Sequence, residues 1–284
     1  MSTKSAFVVV CVEGQSDEDA LRDPLTEIFC SIPGGEKMNV EFRQGKCDLT
    51  SAWDITNSRD EDNRRRIEKR MDPQEIIKER FAKNLYETFF RNQDKKSILK
   101  WCDVTHIIHI VDIDGTYVDD VRIFTPEEKA LSEERKTNNE AKNTLYLPDH
   151  IAVCDGKHAI NILERNKTKR QRLELLIQTD SIEYKRKTVG YSVYYFCTNI
   201  DHFLHGDANL SGPMKMREAA KFIDTYSDVE AFADYMINNE YCSREEEYEE
   251  TWSKLRKKNE SLKRGTNVNR LIKRIQSSTI EDWI

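Results

Sequence analysis

Two apolar segments that end in carboxylates constrain the fold of this chain more than any other feature. The first, FVVVCVEG, reaches Glu13, and the second, HIIHIVDID, reaches Asp112 and Asp114. Short runs rich in Val and Ile are typical of strands buried in a parallel sheet. Side-chain alternation puts Asp112 and Asp114 on one face of an extended segment. We therefore expect Glu13, Asp112 and Asp114 to gather at the carboxyl edge of one sheet.

The order of elements predicts an α/β fold in which a parallel sheet lies between helices. Strand-like segments occupy residues 6–12, 38–43, 106–112, 151–154 and 190–197, and helical patterns occupy 17–30, 73–92 and 157–178. We predict a catalytic domain over residues 1–212, with insertions at about 44–105 and 116–149. Ser16 is the expected cap of the first helix, and Thr125 begins a helix in the second insertion. Residues 213–284 form a helical C-terminal extension.

Gathered carboxylates repel each other unless a positive charge lies between them. A hard cation that prefers oxygen ligands, Mg²⁺ or Mn²⁺, is the expected counter-charge. The chain has seven cysteines but no CxxC pair. It also has no apolar run near the roughly 20 residues that span a bilayer. These patterns predict a reduced, cytoplasmic protein without a membrane span, disulfides or zinc.

Positive charge is concentrated in short clusters, although the net charge is −6. Residues 254–274 hold nine Lys or Arg side chains and one acid, and residues 165–172 read RNKTKRQR. Such clusters suit a surface that binds a polyanion, and they also suit ordinary solvated helix faces. The candidate nucleic-acid-binding residues are Arg165, Lys167, Lys169, Arg170, Lys254, Arg256, Lys257 and Lys258.

The segment VEGQSDEDAL, followed later by Asp112-Ile-Asp114, resembles the paired signatures of TOPRIM domains, especially those of OLD-type nucleases. The resemblance implies a Rossmann-like TOPRIM sheet and metal-dependent phosphodiester cleavage of RNA or DNA. It makes Asp17, Asp112 and Asp114 metal ligands, and Glu13 a ligand or general acid/base. Such ions polarise a phosphodiester and activate a water.

The segment CTNIDHFLH resembles a stretch of RloB-like TOPRIM proteins, and it adds Asp201 to the acidic set with His205 as a neighbour. For the lysine of OLD-type sites, Lys215 and Lys221 are the candidates. Proteins of this type commonly act in antiphage defence. The chain has no GxxxxGK[ST] segment, so the resemblance implies a free-standing nuclease or a separate ABC-type ATPase partner. That partner, or a second copy in a homo-oligomer, is expected at the helical C-terminus.

A different enzyme class stays open, because IVDIDGT also resembles the first motif of haloacid-dehalogenase-type phosphatases. Asp112 would then be the nucleophile and Asp114 the general acid/base, with Thr198 and Lys215 as later motifs. That class needs a further strand ending in paired acids after the lysine, and residues beyond Cys197 show only helical patterns. It also leaves Glu13 unexplained. A third possibility is a non-catalytic interaction protein of α/β fold.

Overall fold

A computed structural model describes residues 5–45, 73–87, 90, 100–124, 144–245 and 247–284 of the chain. Residues 46–72 of the first predicted insertion and the helix predicted to begin at Thr125 lie outside these residues. The strands are β1 (Ala6–Val12), β2 (Met38–Gln44), β3 (His106–Asp112), β4 (Ile123–Phe124), β5 (Thr144–Tyr146), β6 (Ile151–Val153), β7 (Ser181–Tyr184) and β8 (Lys187–Phe196). The α-helices are α1 (Gln15–Ser31), α2 (Pro73–Tyr86), α3 (Gly156–Leu176), α4 (Ile200–His205), α5 (Gly212–Thr225), α6 (Val229–Asn238), α7 (Tyr248–Leu255) and α8 (Val268–Gln276).

The central sheet has the strand order β2-β1-β3-β8-β7. Its first four strands run parallel, and β7 joins the edge antiparallel to β8. Strands that are parallel neighbours need crossover connections, and helices flank the sheet accordingly. The prediction of an α/β fold with a mainly parallel sheet between helices is confirmed.

Alternate residues of β1 point into two separate cores, one on each face of the sheet. Val8 and Val10 pack with α1, α6 and α8 on one face. Val9 and Cys11 pack on the other face with residues of α2, α3 and α7. Because both faces are covered, the middle strands are mostly apolar, and the two histidines of β3, His106 and His109, are buried with them.

The hairpin from β7 to β8 is a feature that the sequence did not predict. Its turn is Lys185-Arg186, and both residues have positive φ angles, of 50° and 63°. A two-residue hairpin needs such angles, which Gly, Asn and Asp adopt most easily. A Lys-Arg pair carries no turn signal, so the sequence pattern predicts the strand only from Gly190 onward.

A second, small sheet with the order β4-β6-β5 lies in and beside the predicted insertion at about 116–149. Its residues Ile123, Ile151 and Val153 pack against Val118 and Ile162 in a core of their own. The small sheet therefore rests on α3, and β5 ends next to the carboxyl edge of the central sheet.

The C-terminal helices share the core of the central sheet. Leu271 and Ile272 of α8 are fully buried in the same cluster as Val8, and the ring of Trp283 lies 5.0 Å from that of Phe29 in α1. The predicted helical extension is thus helical in its described parts, but it completes the sheet's core instead of standing apart from it. Within the described residues, no helix is long and apolar enough to cross a membrane.

We predict that Leu271→Ala lowers the free energy of unfolding of the whole chain by about 2–5 kcal/mol, because it leaves a cavity in this shared core. Lys273→Ala, on the exposed side of α8, is the matched control and should change it by less than about 0.5 kcal/mol. Chemical denaturation followed by circular dichroism measures both. A separate unfolding step that alone responds to Leu271→Ala would contradict a shared core.

Candidate active site

The carboxyl ends of β1 and β3 bring Glu13 and Asp112 together. The two strands pair in parallel, with Cys11 opposite His109. The backbone N–H of Asp112 donates to Oε1 of Glu13 across 3.3 Å. Two acidic residues that are 99 positions apart in the chain therefore meet at one edge of the sheet.

Asp114 lies in a tight turn. The prediction that Asp112 and Asp114 share one face of an extended strand is therefore wrong. The strand ends at Asp112, and Asp114 and Gly115 adopt left-handed φ angles of 55° and 65°. Asp is one of the few residues with a side chain that visit this region readily. The backbone N–H of Asp114 donates to the carbonyl of Thr198 across 2.7 Å. This bond ties the turn to the end of β8.

Lys169 of α3 places a positive charge inside the acidic cluster. Its side chain is 1% exposed, and Nζ lies 2.9 Å from Oδ2 of Asp114 and 3.7 Å from Oε1 of Glu13. Nζ also donates to the backbone carbonyl of Asp112. Burial lowers the pKa of Lys169, but the carboxylates of Asp114 and Glu13 outweigh burial and raise it. The ammonium therefore stays charged and acts as a built-in counter-ion.

Arg165 and Tyr146 support Asp114 from its other side. The Tyr146 hydroxyl donates to Oδ1 of Asp114 across 3.2 Å. Arg165 donates to the Tyr146 hydroxyl across 3.0 Å and to the backbone carbonyl of Asp114 across 2.6 Å. Asn166 accepts from the Arg165 guanidinium and donates to the carbonyl of Gly115. Both carboxylate oxygens of Asp114 are thus held by donors from outside the strand.

These positions correct the expectation that Arg165 and Lys169 belong to an exposed basic surface. A signal for their burial is present in the sequence. Ile162, Asn166, Lys169 and Leu173 recur at spacings of four, three and four, and all four are buried. That spacing defines one face of a helix. Of the polar residues in the middle of the stripe, Lys169 contacts the Asp114 carboxylate and Asn166 contacts the backbone of the turn at Gly115.

Asp17 and Asp201 flank the cluster on the side of α1 and α4. The helix α1 begins at Gln15 with Gly14 in the cap position, and not with Ser16 as predicted. Oδ2 of Asp17 accepts from the backbone N–H of Gly14 across 2.9 Å. Asp201 is buried and forms an ion pair with Lys215 of α5.

Of the two lysines that the family resemblance offered, Lys215 thus reaches the acidic residues. Lys221 pairs instead with Glu218 on the exposed side of α5, at 2.8 Å. His205, one turn beyond Asp201 on α4, packs against the ring of Phe222.

Burial and neighbouring charges shift the pKa values of these carboxyl groups in opposite directions. Burial, followed by the charges of Asp17, Glu13 and Asp114, raises the pKa of Asp112 well above its ordinary value. Burial, assisted by the charges of Glu13 and Asp201, also raises the pKa of Asp17 to about 6. Burial alone would raise the pKa of Asp114, but the positive charges of Lys169 and Arg165 outweigh burial and lower it. Without a further cation, Asp112 therefore favours its protonated form and Asp114 its charged form.

The donor set fits a hard divalent ion, because Glu13, Asp17, Asp112 and Asp114 offer only carboxylate oxygens. In the described part of the chain, no three of these carboxylates place oxygens within 4.8 Å of one another. The reason is that each turns to a donor of its own; for example, Oδ1 of Asp112 accepts from the backbone N–H of Ile200 across 3.1 Å. Binding an ion requires these side chains to rotate inward.

The other candidate basic residues lie at the surface, and three of them are paired. Arg170 contacts Asp120 at 3.0 Å, Lys254 contacts Glu245 at 2.8 Å, and Arg256 forms a two-pronged pair with Glu174. Lys167, Lys257 and Lys258 are exposed. An exposed arrangement suits a polyanion-binding surface and also ordinary solvation.

Asn209 joins the small sheet to the segment that precedes α5. Its Oδ1 accepts from the backbone N–H of Tyr146 across 3.0 Å, and its Nδ2 donates to the carbonyl of Tyr146 across 2.8 Å. The two bonds fix the backbone of Tyr146, whose hydroxyl contacts Asp114.

Comparison of the chain with protein-family models, with curated proteins and with solved structures finds no match in any of the three sets. What can be said of this site therefore rests on its own geometry and on the sequence signatures.

We predict that Lys169→Met destabilises the metal-free protein by about 3–5 kcal/mol at pH 7, because it leaves buried carboxylates without their counter-charge. In the wild type, the pKa of Asp114 is lower in the folded protein than in the unfolded chain. The charged carboxylate therefore stabilises the fold above the unfolded pKa, and this stabilisation is lost as pH falls through the folded pKa. Without Lys169, burial raises that pKa, so the variant recovers as acid protonates the carboxyl. The deficit measured by chemical denaturation should therefore shrink from about pH 7 to about pH 5. Lys221→Met is the control; equal losses in the two variants would contradict a buried counter-ion.

We predict that Asp112→Asn raises the melting temperature of the metal-free protein at pH 7 by about 2–4 °C, which is about 1 kcal/mol for a chain of this size. Because the pKa of Asp112 is raised in the folded protein, the ionised side chain opposes folding at neutral pH. As pH falls and Asp112 becomes protonated, the stability of the wild type should rise relative to that of the variant. Added Mg²⁺ should stabilise the wild type but not the variant. Asp23→Asn, at an exposed position of α1, serves as the control. A lower melting temperature for Asp112→Asn without metal would refute this account.

Proposed function

We propose that this chain is a nuclease of the TOPRIM type, related to OLD-like and RloB-like proteins, which cleaves phosphodiester bonds in RNA or DNA with Mg²⁺ or Mn²⁺. The observation that carries the proposal is the meeting of Glu13 with Asp112 at the ends of adjacent parallel strands. Asp114 follows two residues later, and the three residues occur in the order of the TOPRIM signatures. Clustered carboxylates at a partly buried edge are destabilising, so their presence favours a functional site over a purely structural one.

Glu13, Asp17, Asp112 and Asp114 would hold the ion, with Asp201 behind them. A bound divalent ion supplies charge neutralisation at a phosphodiester and lowers the pKa of a coordinated water. The side chain of Glu13 is 22% exposed, so it can accept a proton from a water that enters the cleft. Lys215, whose side chain is 37% exposed, is placed to contact phosphate oxygens from the α5 side.

Lys169 has a different role in this proposal because it is buried. It touches no substrate and instead keeps Asp114 charged and oriented. Arg165 and Tyr146 act in the same direction through their bonds to Asp114. These residues are positioning groups, and the reacting atoms belong to the more open side formed by Glu13 and Lys215.

The rival phosphatase has one observation in its favour, since Thr198 lies two residues beyond the end of β8, the neighbour of β3. Thr198 nevertheless turns its hydroxyl to the carbonyl of Ser261, at 3.4 Å. Lys215 pairs with Asp201. We therefore keep the phosphatase as the alternative that the assay must separate.

Nucleic acid is the proposed partner, guided by exposed residues such as Lys167, Lys257 and Lys258. An antiphage role, a separate ABC-type ATPase and self-association belong to the same proposal and derive from the sequence resemblance.

We predict that Glu13→Gln reduces Mg²⁺- or Mn²⁺-dependent cleavage of RNA or DNA at least about 100-fold, the usual loss when a general acid or base is removed. The assay offers labelled single- and double-stranded RNA and DNA, and a generic phosphomonoester alongside. Glu27→Gln, at an exposed position of α1, is the matched control and should retain full activity. Phosphomonoester hydrolysis that survives Glu13→Gln but not Asp112→Asn would instead establish the phosphatase.

A further inference from the structure

A second group of metal-binding side chains lies at the start of α3, outside the acidic cluster. Cys154 follows β6, Asp155 is the N-cap of α3, and His158 lies in its first turn. Among the described residues, these are the only three His, Cys, Asp or Glu side chains whose ligand atoms all lie within 4.8 Å of one another. They represent three different ligand chemistries, which are sulfur, oxygen and nitrogen.

Three contacts of this group converge on one ring nitrogen, Nδ1 of His158. Sγ of Cys154 lies 3.0 Å from Nδ1 of His158. Oδ1 and Oδ2 of Asp155 lie 2.9 Å and 3.0 Å from the same Nδ1. Sγ also lies 3.4 Å from Oδ2 of Asp155. The sulfur, oxygen and nitrogen ligand atoms therefore lie within 3.4 Å of one another.

This geometry differs from that of a catalytic Cys-His-Asp relay. In a relay the nucleophile and the carboxylate address opposite nitrogens of the imidazole, so that one orients the ring and the other gives up its proton. Here the Cys154 thiol and the Asp155 carboxylate both face Nδ1 of His158. One proton on Nδ1 points in a single direction and cannot satisfy both partners well.

Helix capping accounts for only part of the group. Oδ1 of Asp155 accepts from the backbone N–H of His158 across 2.8 Å, which is an ordinary N-cap bond. Capping requires neither the Cys154 sulfur nor the imidazole nitrogen beside it. The side chains of Asp155 and His158 are 53% and 34% exposed, so an ion has access from solvent.

We propose that Cys154, Asp155 and His158 form a binding site for Zn²⁺ or a similar borderline transition-metal ion, with a fourth position open to solvent. Thiolate and imidazole are ligands that Zn²⁺ accepts and that Mg²⁺ avoids. A thiolate and a carboxylate together offset the two charges of the ion. The absence of a CxxC pair predicts a chain without zinc. The C-D-x-x-H segment contains only one cysteine, so that criterion does not apply to it.

The site is separate from the proposed nuclease centre. Asp155 and Lys169 lie on the same helix but fourteen residues apart, which is about 21 Å along an α-helix. The two sites also select different ions, so the failure of either proposal leaves the other standing.

The experiment is a titration of the purified full-length chain, in reducing buffer, with Co²⁺ and then Zn²⁺. One equivalent of Co²⁺ should produce a near-ultraviolet thiolate-to-cobalt band and the intense visible bands of a tetrahedral ion, and Zn²⁺ should displace it. The carboxylates of the acidic cluster cannot produce a thiolate band. Glu13→Gln should therefore leave the spectrum unchanged.

Variants assign the ligands. Cys154→Ser should abolish the thiolate band, and Cys102→Ser, at an exposed cysteine, should keep it. Asp155→Asn retains a good N-cap but loses the carboxylate. It and His158→Ala should weaken binding at least about tenfold, since even outer-shell substitutions cost 10- to 100-fold. A wild type without the band, or a band that survives Cys154→Ser, overturns the proposal.

Discussion

Concentrated negative charge at the carboxyl edge of the central sheet is the constraint on which the site depends. Parallel pairing of β1 with β3 brings Glu13 to Asp112, and the turn after β3 adds Asp114. Burial of this charge is unfavourable, and it is offset by nearby lysine side chains and by protonation of a carboxyl group. Lys169 and Lys215 form ion pairs with Asp114 and Asp201, and Asp112 tends to keep its proton.

The helix α3 packs against both the small sheet and the central sheet, and it carries the residues that support Asp114. Its buried stripe begins with the apolar residue Ile162, packed under the small sheet, and ends with Leu173 in the core of the central sheet. Between these anchors, Arg165, Asn166 and Lys169 point to the turn that carries Asp114. The helix is positioned by its apolar ends, and its polar middle is thereby placed at the site.

Sequence reasoning reached the strands that end in acids, because an apolar run followed by carboxylates depends on local composition alone. The bounds of β1 and β3 agree with the predicted residues 6–12 and 106–112. The role of Lys169 was missed because RNKTKRQR has the composition of a solvated helix, and the burial of a charge is decided by distant partners. The β7–β8 hairpin was missed for a local reason, since Lys185 and Arg186 adopt angles that their residue types rarely take. The turn at Asp114 does have a local signal, since Asp-Gly pairs favour turns, but the contact that ties this turn to Thr198 joins distant parts of the chain and has no local signal.

The double amide contact of Asn209 with Tyr146 has a mechanical consequence. Tyr146 contacts Asp114 through its hydroxyl, while its backbone is fastened to the loop that leads into α5 and Lys215. The end of β5 is therefore bonded on one side to Asp114 and on the other to the segment that leads to Lys215. The small sheet, although it lies outside the central sheet, thus helps to set the spacing between the two flanks of the acidic cluster.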